Sequence, residues 1–201
     1  MSLIVYNPTS GPAAEKTIMA QRVETLQNGV LGVIDNGKPN SDTVLNRIVK
    51  GIQSRYPLNE VISIKKGSAS HAVADDAAQN LAGKCDFIVA GIGDWGSCSS
   101  GSVLDAIIME KLGVPTAVIC TEPFISSGKA MALSHGIQDY PFLVIPHPIV
   151  ATKTETLHEW ADQVVDQVVS LLLKGNWQEA ISKMPNGPIS VSGSYRNPQN
   201  I

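Results

Sequence analysis

The stretch Gly91-Ile-Gly-Asp-Trp-Gly-Ser-Cys-Ser-Ser100 gathers one thiol, one carboxylate and several hydroxyls into a Gly-rich turn. It follows an apolar run, Phe87–Ala90, and precedes residues with helical spacing, so it reads as a strand-to-helix connection. Free N–H groups at a helix start, with the positive end of the helix dipole, favour anions there. A cysteine in that setting has its thiolate stabilised, which makes the thiol reactive near neutral pH. Cys98 is so placed. Asp94 is then a nearby acid/base or orienting group, and Gly96, Ser97, Ser99 and Ser100 are candidates to hold a polar ligand.

Other candidates lie after other apolar runs. His147, between Pro146 and Pro148, is the main adaptable polar group of its turn and suits proton transfer or the orientation of a thiol. Lys38, in Asn36-Gly-Lys-Pro-Asn40, stands just ahead of a helix whose cap is Asn40 or Ser41. A cation there opposes the helix dipole unless an anion is bound, so Lys38 and Asn40 point to a carboxylate or phosphate. Glu122, in Cys120-Thr-Glu-Pro-Phe124, occupies a further strand end. Cys85 precedes one apolar strand and Cys120 ends another, and both read as structural. No Cys–His or His–His spacing suits zinc, and no metal or cofactor is expected. Gly91, Gly93 and Gly96 satisfy G-x-G-x-x-G, but outside the first strand–helix unit and without the acidic strand end about 20 residues on, so dinucleotide or flavin binding ranks third among the readings.

The elements that must position these residues follow from patterning. Short apolar runs recur at Val30–Asp35, Val61–Lys65, Phe87–Ala90, Thr116–Cys120 and Phe142–Ile145, with a sixth at Leu3–Tyr6. Helical stripes alternate with them over Asp42–Tyr56, His71–Leu81, Val103–Leu112 and Thr154–Lys174, the last with Thr154 as cap. The alternation predicts an α/β chain: one doubly wound, mostly parallel sheet with helices on both faces, flavodoxin- or Rossmann-like. Val30–Asp35, Phe87–Ala90 and Thr116–Cys120 are nearly unbroken apolar runs and should be central strands. Ligands of such sheets bind beyond the carboxyl ends of the strands, where all the candidates above fall. The domain should span residues 1–183, with the Pro-, Gly- and Ser-rich residues 184–201 as an extended arm.

Composition narrows the partners. Net charge is −3 with no run of like charges, so a nucleic-acid footprint is not expected. No stretch approaches the roughly 20 apolar residues of a membrane span. Three cysteines and an N-terminus without targeting character fit a reducing, cytoplasmic setting. The broad apolar face of the last helix suits packing on the sheet or a seam between two copies of the chain.

Gly93-Asp-Trp-Gly-Ser-Cys98 resembles the turn of the UGSC family, which carries Gly-Asp-Sec-Gly-Ser-Cys. Asp35–Asn40, Asp105–Thr116 and Pro146-His-Pro148 look similar too, so the resemblance spans about residues 30 to 170. It implies a Sec-x-x-Cys redox pair, of which only Cys98 is present here. Trp95 stands in the selenocysteine position, cannot form the internal bond, and offers a stacking surface for a planar ligand. The leading expectation is a thiol-dependent enzyme acting on a small polar or anionic molecule, with Cys98, Asp94 and His147 catalytic. The alternative is a non-catalytic anion-binding module, alone or within a larger complex.

Overall fold

The computed structural model describes residues 17–137 and 140–174; the run Leu3–Tyr6 and the expected arm 184–201 lie outside them. Five strands, β1 (Val30–Asp35), β2 (Glu60–Lys65), β3 (Phe87–Gly93), β4 (Thr116–Thr121) and β5 (Leu143–Ile145), form one parallel sheet in the order β2-β1-β3-β4-β5. The expected central strands β1, β3 and β4 are central. Every residue of β3 and β4 is buried, whereas edge strand β2 is half exposed.

Helices α1 (Ser41–Gln53) and α5 (Thr154–Leu172) cover one face of the sheet; α2 (Asp75–Ala82), α3 (Gly96–Lys111) and α4 (Ile125–Ser134) cover the other. The stripe of α5 (Leu157, Ala161, Val164, Val165, Val168) is buried within its own chain, against α1 and the sheet. Each large apolar side chain of this kind contributes about 1.5–3 kcal/mol when removed from water. The two helices touch closely at Gly51, where a Cβ would come within 2.6 Å of Val165.

The elements differ from the sequence expectation at α2, which starts at Asp75 rather than His71, and at α3, α4 and α5. The cap of α5 is Lys153 rather than Thr154, which is the first helical residue. Helix α3 starts at Gly96, well before its apolar stripe, so Cys98, Ser99 and Ser100 lie inside the helix. Helix α4 has no counterpart in the sequence reading. In addition Lys66, right after β2, pairs with Asp105 of α3 at 2.5 Å, and Asp105 also accepts the Val73 N–H, which ties the loop before α2 down onto α3.

An order of 2-1-3-4-5 places its topological switch between β1 and β3, where chain connections leave in opposite directions and a crevice opens at the carboxyl edge. The loops after β1 and β3 therefore adjoin, and Lys38 leaves the strand next to β3.

Candidate functional site

The end of β3 departs from regular pairing, with a register shift against β4 between Ala90 and Gly93. Gly91 has φ +152, and a Cβ there would lie 2.9 Å from the Ile119 carbonyl oxygen, so glycine is needed. The freed backbone groups are taken up by β1 and α1. The Asn36 N–H donates to Gly91 O, its side-chain amide to Ile92 O at 2.5 Å, and Ser41 Oγ accepts the Ile92 N–H while donating to Gly91 O. Asn36 and Ser41 are buried and thereby fix the chain entering the turn. Neither stands out in the sequence, where both read as ordinary loop and cap residues.

From this anchored end the chain turns at Asp94 and enters α3 with Trp95 as cap. Cys98 is the third helical residue. Its sulfur accepts the Trp95 N–H at 2.9 Å and the Asp94 N–H at 3.3 Å, and its thiol can donate to Trp95 O at 3.3 Å. These backbone contacts fix the sulfur against the first turn of α3. The residue is only 1% exposed, so the sulfur also serves as the cap that satisfies two otherwise free N–H groups. Burial pushes the other thiols up, Cys85 to about 11 with help from Asp86, and Cys120 to about 12. All three cysteines are free.

The Asp94 carboxylate is fully buried and reaches across to the loop after β5. Its Oδ1 lies 2.9 Å from His147 Nδ1 and accepts the Ile149 N–H at 3.2 Å. An ionised Asp94 can only accept, so it holds the Nδ1–H tautomer of His147 and leaves the Nε2 lone pair for chemistry. Thr121 Oγ1, at the end of β4, lies 3.2 Å from the same nitrogen. Asp94 Oδ2 is buried without a partner among the described residues, an arrangement that calls for a functional explanation in a native fold.

Aromatic groups line the outer side. Trp95 is 57% exposed and lies nearly parallel to Phe124 (21°, centroids 6.4 Å apart), while Phe124 meets His147 edge-on at 5.3 Å. Lys38 Nζ stands 5.7 Å from the Trp95 ring centroid. Lys38, Asp94, Trp95, Cys98 and His147, nominated from three separate loops of the sequence, thus form one connected set. Phe124 and Thr121 join it without having been nominated.

Other nominees have other duties. Asn40 caps α1 in the left-handed region (φ 68) through its backbone alone. Its side-chain amide donates instead to Ile149 O and Val150 O, binding the β1 loop to the β5 loop. Ser99 is fully buried between α3 and β3, so it faces the core and not the crevice. Ser100 donates to Ser127 O on α4. Gly96 and Ser97 stay accessible as the first two helical residues, whose N–H groups have no intrahelical acceptor. Glu122 is exposed at the start of a 3-10 turn, Glu122–Phe124, with no ion pair among the described residues. Outside the nominated set, His71 bonds Ser68 on the exposed loop after β2.

Among the described residues no group of three or more His, Cys, Asp or Glu is placed to hold a metal ion, and no helix is long and apolar enough to cross a membrane. A search among curated proteins finds no match. The sequence model of the UGSC family matches residues 4–174, most of the chain and all of the site just described: the chain belongs to the UGSC family.

Proposed function

We propose that this chain is a thiol-dependent enzyme acting on a small polar or anionic molecule at the carboxyl edge of its sheet. One observation carries the reading: Asp94 serves both halves of the site, its N–H on the Cys98 sulfur and its carboxylate on His147. A residue so shared fixes a nucleophile-type group and a base-type group relative to each other. Cys98 would add to the substrate or exchange a proton with it, and His147 would take up and return that proton. Lys38 and the N–H groups of Gly96 and Ser97 would hold the anionic part. With Trp95 in the selenocysteine position, the reaction uses one thiol and no internal dichalcogenide. A reducing, cytoplasmic setting suits such a thiol.

Alkylation tests this without knowing the substrate. Iodoacetate and its neutral amide are compared on the native protein, with peptide mapping of each cysteine. The expected result is preferential labelling of Cys98, with iodoacetate favoured over the amide relative to the unfolded chain. Lys38→Gln should remove that preference, and His147→Gln should alter the pH dependence of labelling.

The 1% exposure of Cys98 favours a second reading, in which the thiol only caps α3 and the turn belongs to a binding module. Then Cys98 would stay unlabelled by both reagents until the chain unfolds, and Cys98→Ser, which keeps the capping acceptor, would leave ligand affinity intact.

A further inference from the structure

We infer that the ligand of this crevice is a planar, conjugated or aromatic carboxylate, stacked against the aromatic pair Trp95 and Phe124 with its carboxylate toward Lys38 and the start of α3. The inference rests on the site proposed above but concerns the ligand's class.

Its grounds are the side chains themselves. Trp95 is a large apolar side chain left 57% exposed directly beside the buried Asp94 and near the buried Cys98. A helix N-cap has no need of tryptophan, since Ser, Thr, Asp or Asn would cap better. Phe124 stacks near-parallel to it, 21° between planes and 6.4 Å between centroids, and His147 meets Phe124 edge-on at 5.3 Å. Near-parallel rings with an exposed indole favour flat π-systems over puckered rings, because only a flat group stacks closely on them.

A positive charge stands over the indole, while the neighbouring Asp94 carboxylate is buried and turned to His147 and Ile149. Lys38 Nζ lies 5.7 Å from the indole centroid, and among the described residues no carboxylate pairs with it. The Gly96 and Ser97 N–H groups and the dipole of α3 add to it. An aromatic cage for a quaternary ammonium would look similar in its rings, but a lysine over one of them opposes a cation. A planar anion satisfies both rings and charge, and a carboxylate matches two adjacent N–H donors and an ammonium. Such a ligand also brings its carboxylate-bearing carbon skeleton alongside His147.

Benzoate is the simplest probe. Binding is measured on the Cys98→Ser protein, so loss of thiol chemistry leaves the result unaffected, and failure here is separable from failure of the enzyme reading. The readout is the Trp95 indole N–H resonance, assigned by Trp95→Phe, titrated with benzoate, benzamide, cyclohexanecarboxylate, inorganic phosphate and tetramethylammonium. Benzoate should shift that resonance saturably, in the millimolar range expected of so small a ligand. Benzamide and cyclohexanecarboxylate should bind at least several-fold more weakly. Lys38→Gln should weaken benzoate on the order of tenfold, as the loss of one charge-assisted hydrogen bond does, and leave benzamide unchanged. Trp95→Leu, which lacks the indole reporter and is therefore followed by the benzoate ring-proton resonances, should weaken benzoate about 3- to 10-fold. The inference is overturned if cyclohexanecarboxylate, benzamide, phosphate or tetramethylammonium binds as well as benzoate, or if benzoate leaves the resonance unmoved into the tens of millimolar.

Discussion

Gly93→Ala is the perturbation that joins fold to site most directly. Gly93 ends β3 one residue before Asp94, and a Cβ built on it falls 2.5 Å from Ser99 Cα, 2.7 Å from Ser99 Oγ and 2.9 Å from the Cys120 sulfur. The first of these is backbone, so no rotamer change relieves it. Ordinary contact begins near 3.4 Å, so the first turn of α3 has to retreat from the sheet by about 1 Å. Overpacking of this kind typically costs about 1–3 kcal/mol. Backbone displacement places it at the upper end, roughly 2–3 kcal/mol, which for a chain of this size lowers Tm by roughly 5–10 °C. The same retreat carries the Cys98 sulfur away from the Asp94 N–H, already long at 3.3 Å. A second, functional consequence follows: the labelling preference of Cys98 for iodoacetate should fall toward that of the unfolded chain. Thermal melts and alkylation rates at matched temperature read the two effects. Gly67→Ala, where a Cβ meets nothing within 4 Å, is the control and should melt close to the parent. If Gly93→Ala also melted close to the parent and labelled normally, the close seating of α3 on β3 would not be what positions the thiol.

Two further outcomes are expected. In Trp95→Cys the first turn of α3 gains a Cys-x-x-Cys pair whose N-cap and third-residue side chains converge, as the 2.9 Å contact of Trp95 N–H with Cys98 sulfur indicates. Mild oxidant should join the introduced thiol reversibly to Cys98, seen as a mass loss of two hydrogens, and persistence of both free thiols would count against that geometry. Burial pushes the Cys120 thiol from the usual 9.0 to about 12, so above pH ~9 the unfolded chain loses this proton while the folded chain keeps it. The folded state then binds more protons and stability falls as pH rises, by up to ~1.4 kcal/mol per unit between pH ~9 and ~12. Urea midpoints for wild type and Cys120→Ala at about pH 8 and about pH 10 check this: the variant's decline should be shallower, and parallel declines would refute it.

The sheet is legible in the sequence because parallel strands buried on both faces must be continuously apolar, and β1, β3 and β4 are. The missed helix α4, Ile125-Ser-Ser-Gly-Lys-Ala-Met-Ala-Leu-Ser134, lacks a clean apolar stripe. Its placement depends on small residues: Gly128 lies where a Cβ would come within 3.0 Å of Phe142. The early start of α3 is hidden for a related reason. Gly and Ser are weak helix formers, so Gly96–Ser102 reads as loop, yet Gly101 sits where a Cβ would come 2.7 Å from the Ala69 carbonyl oxygen, and Ser99 and Ser102 are buried. Tertiary packing holds these residues helical against their own preference.

That packing changes what the Gly/Ser richness of the turn means. Read alone, it suggests a cradle of hydroxyls and amides around an anion. In the fold, Gly93 and Ser99 press α3 onto β3, Gly101 admits the loop before α2, and Ser100 bonds α4, leaving Gly96 and Ser97 as the accessible residues of the turn. The candidate site instead draws on residues that no local pattern links. Asp94 and His147 are 53 positions apart and follow strands separated by β4. Their meeting depends on strand order, which apolar content does not encode. Lys38 reaches Trp95 for the opposite reason, since β1 and β3 are neighbours across the switch point. Sequence patterning can therefore nominate strand ends, but only the order 2-1-3-4-5 selects which of them meet: it brings Lys38, Asp94 and His147 into one set and leaves His71, after edge strand β2, bonded to its own loop.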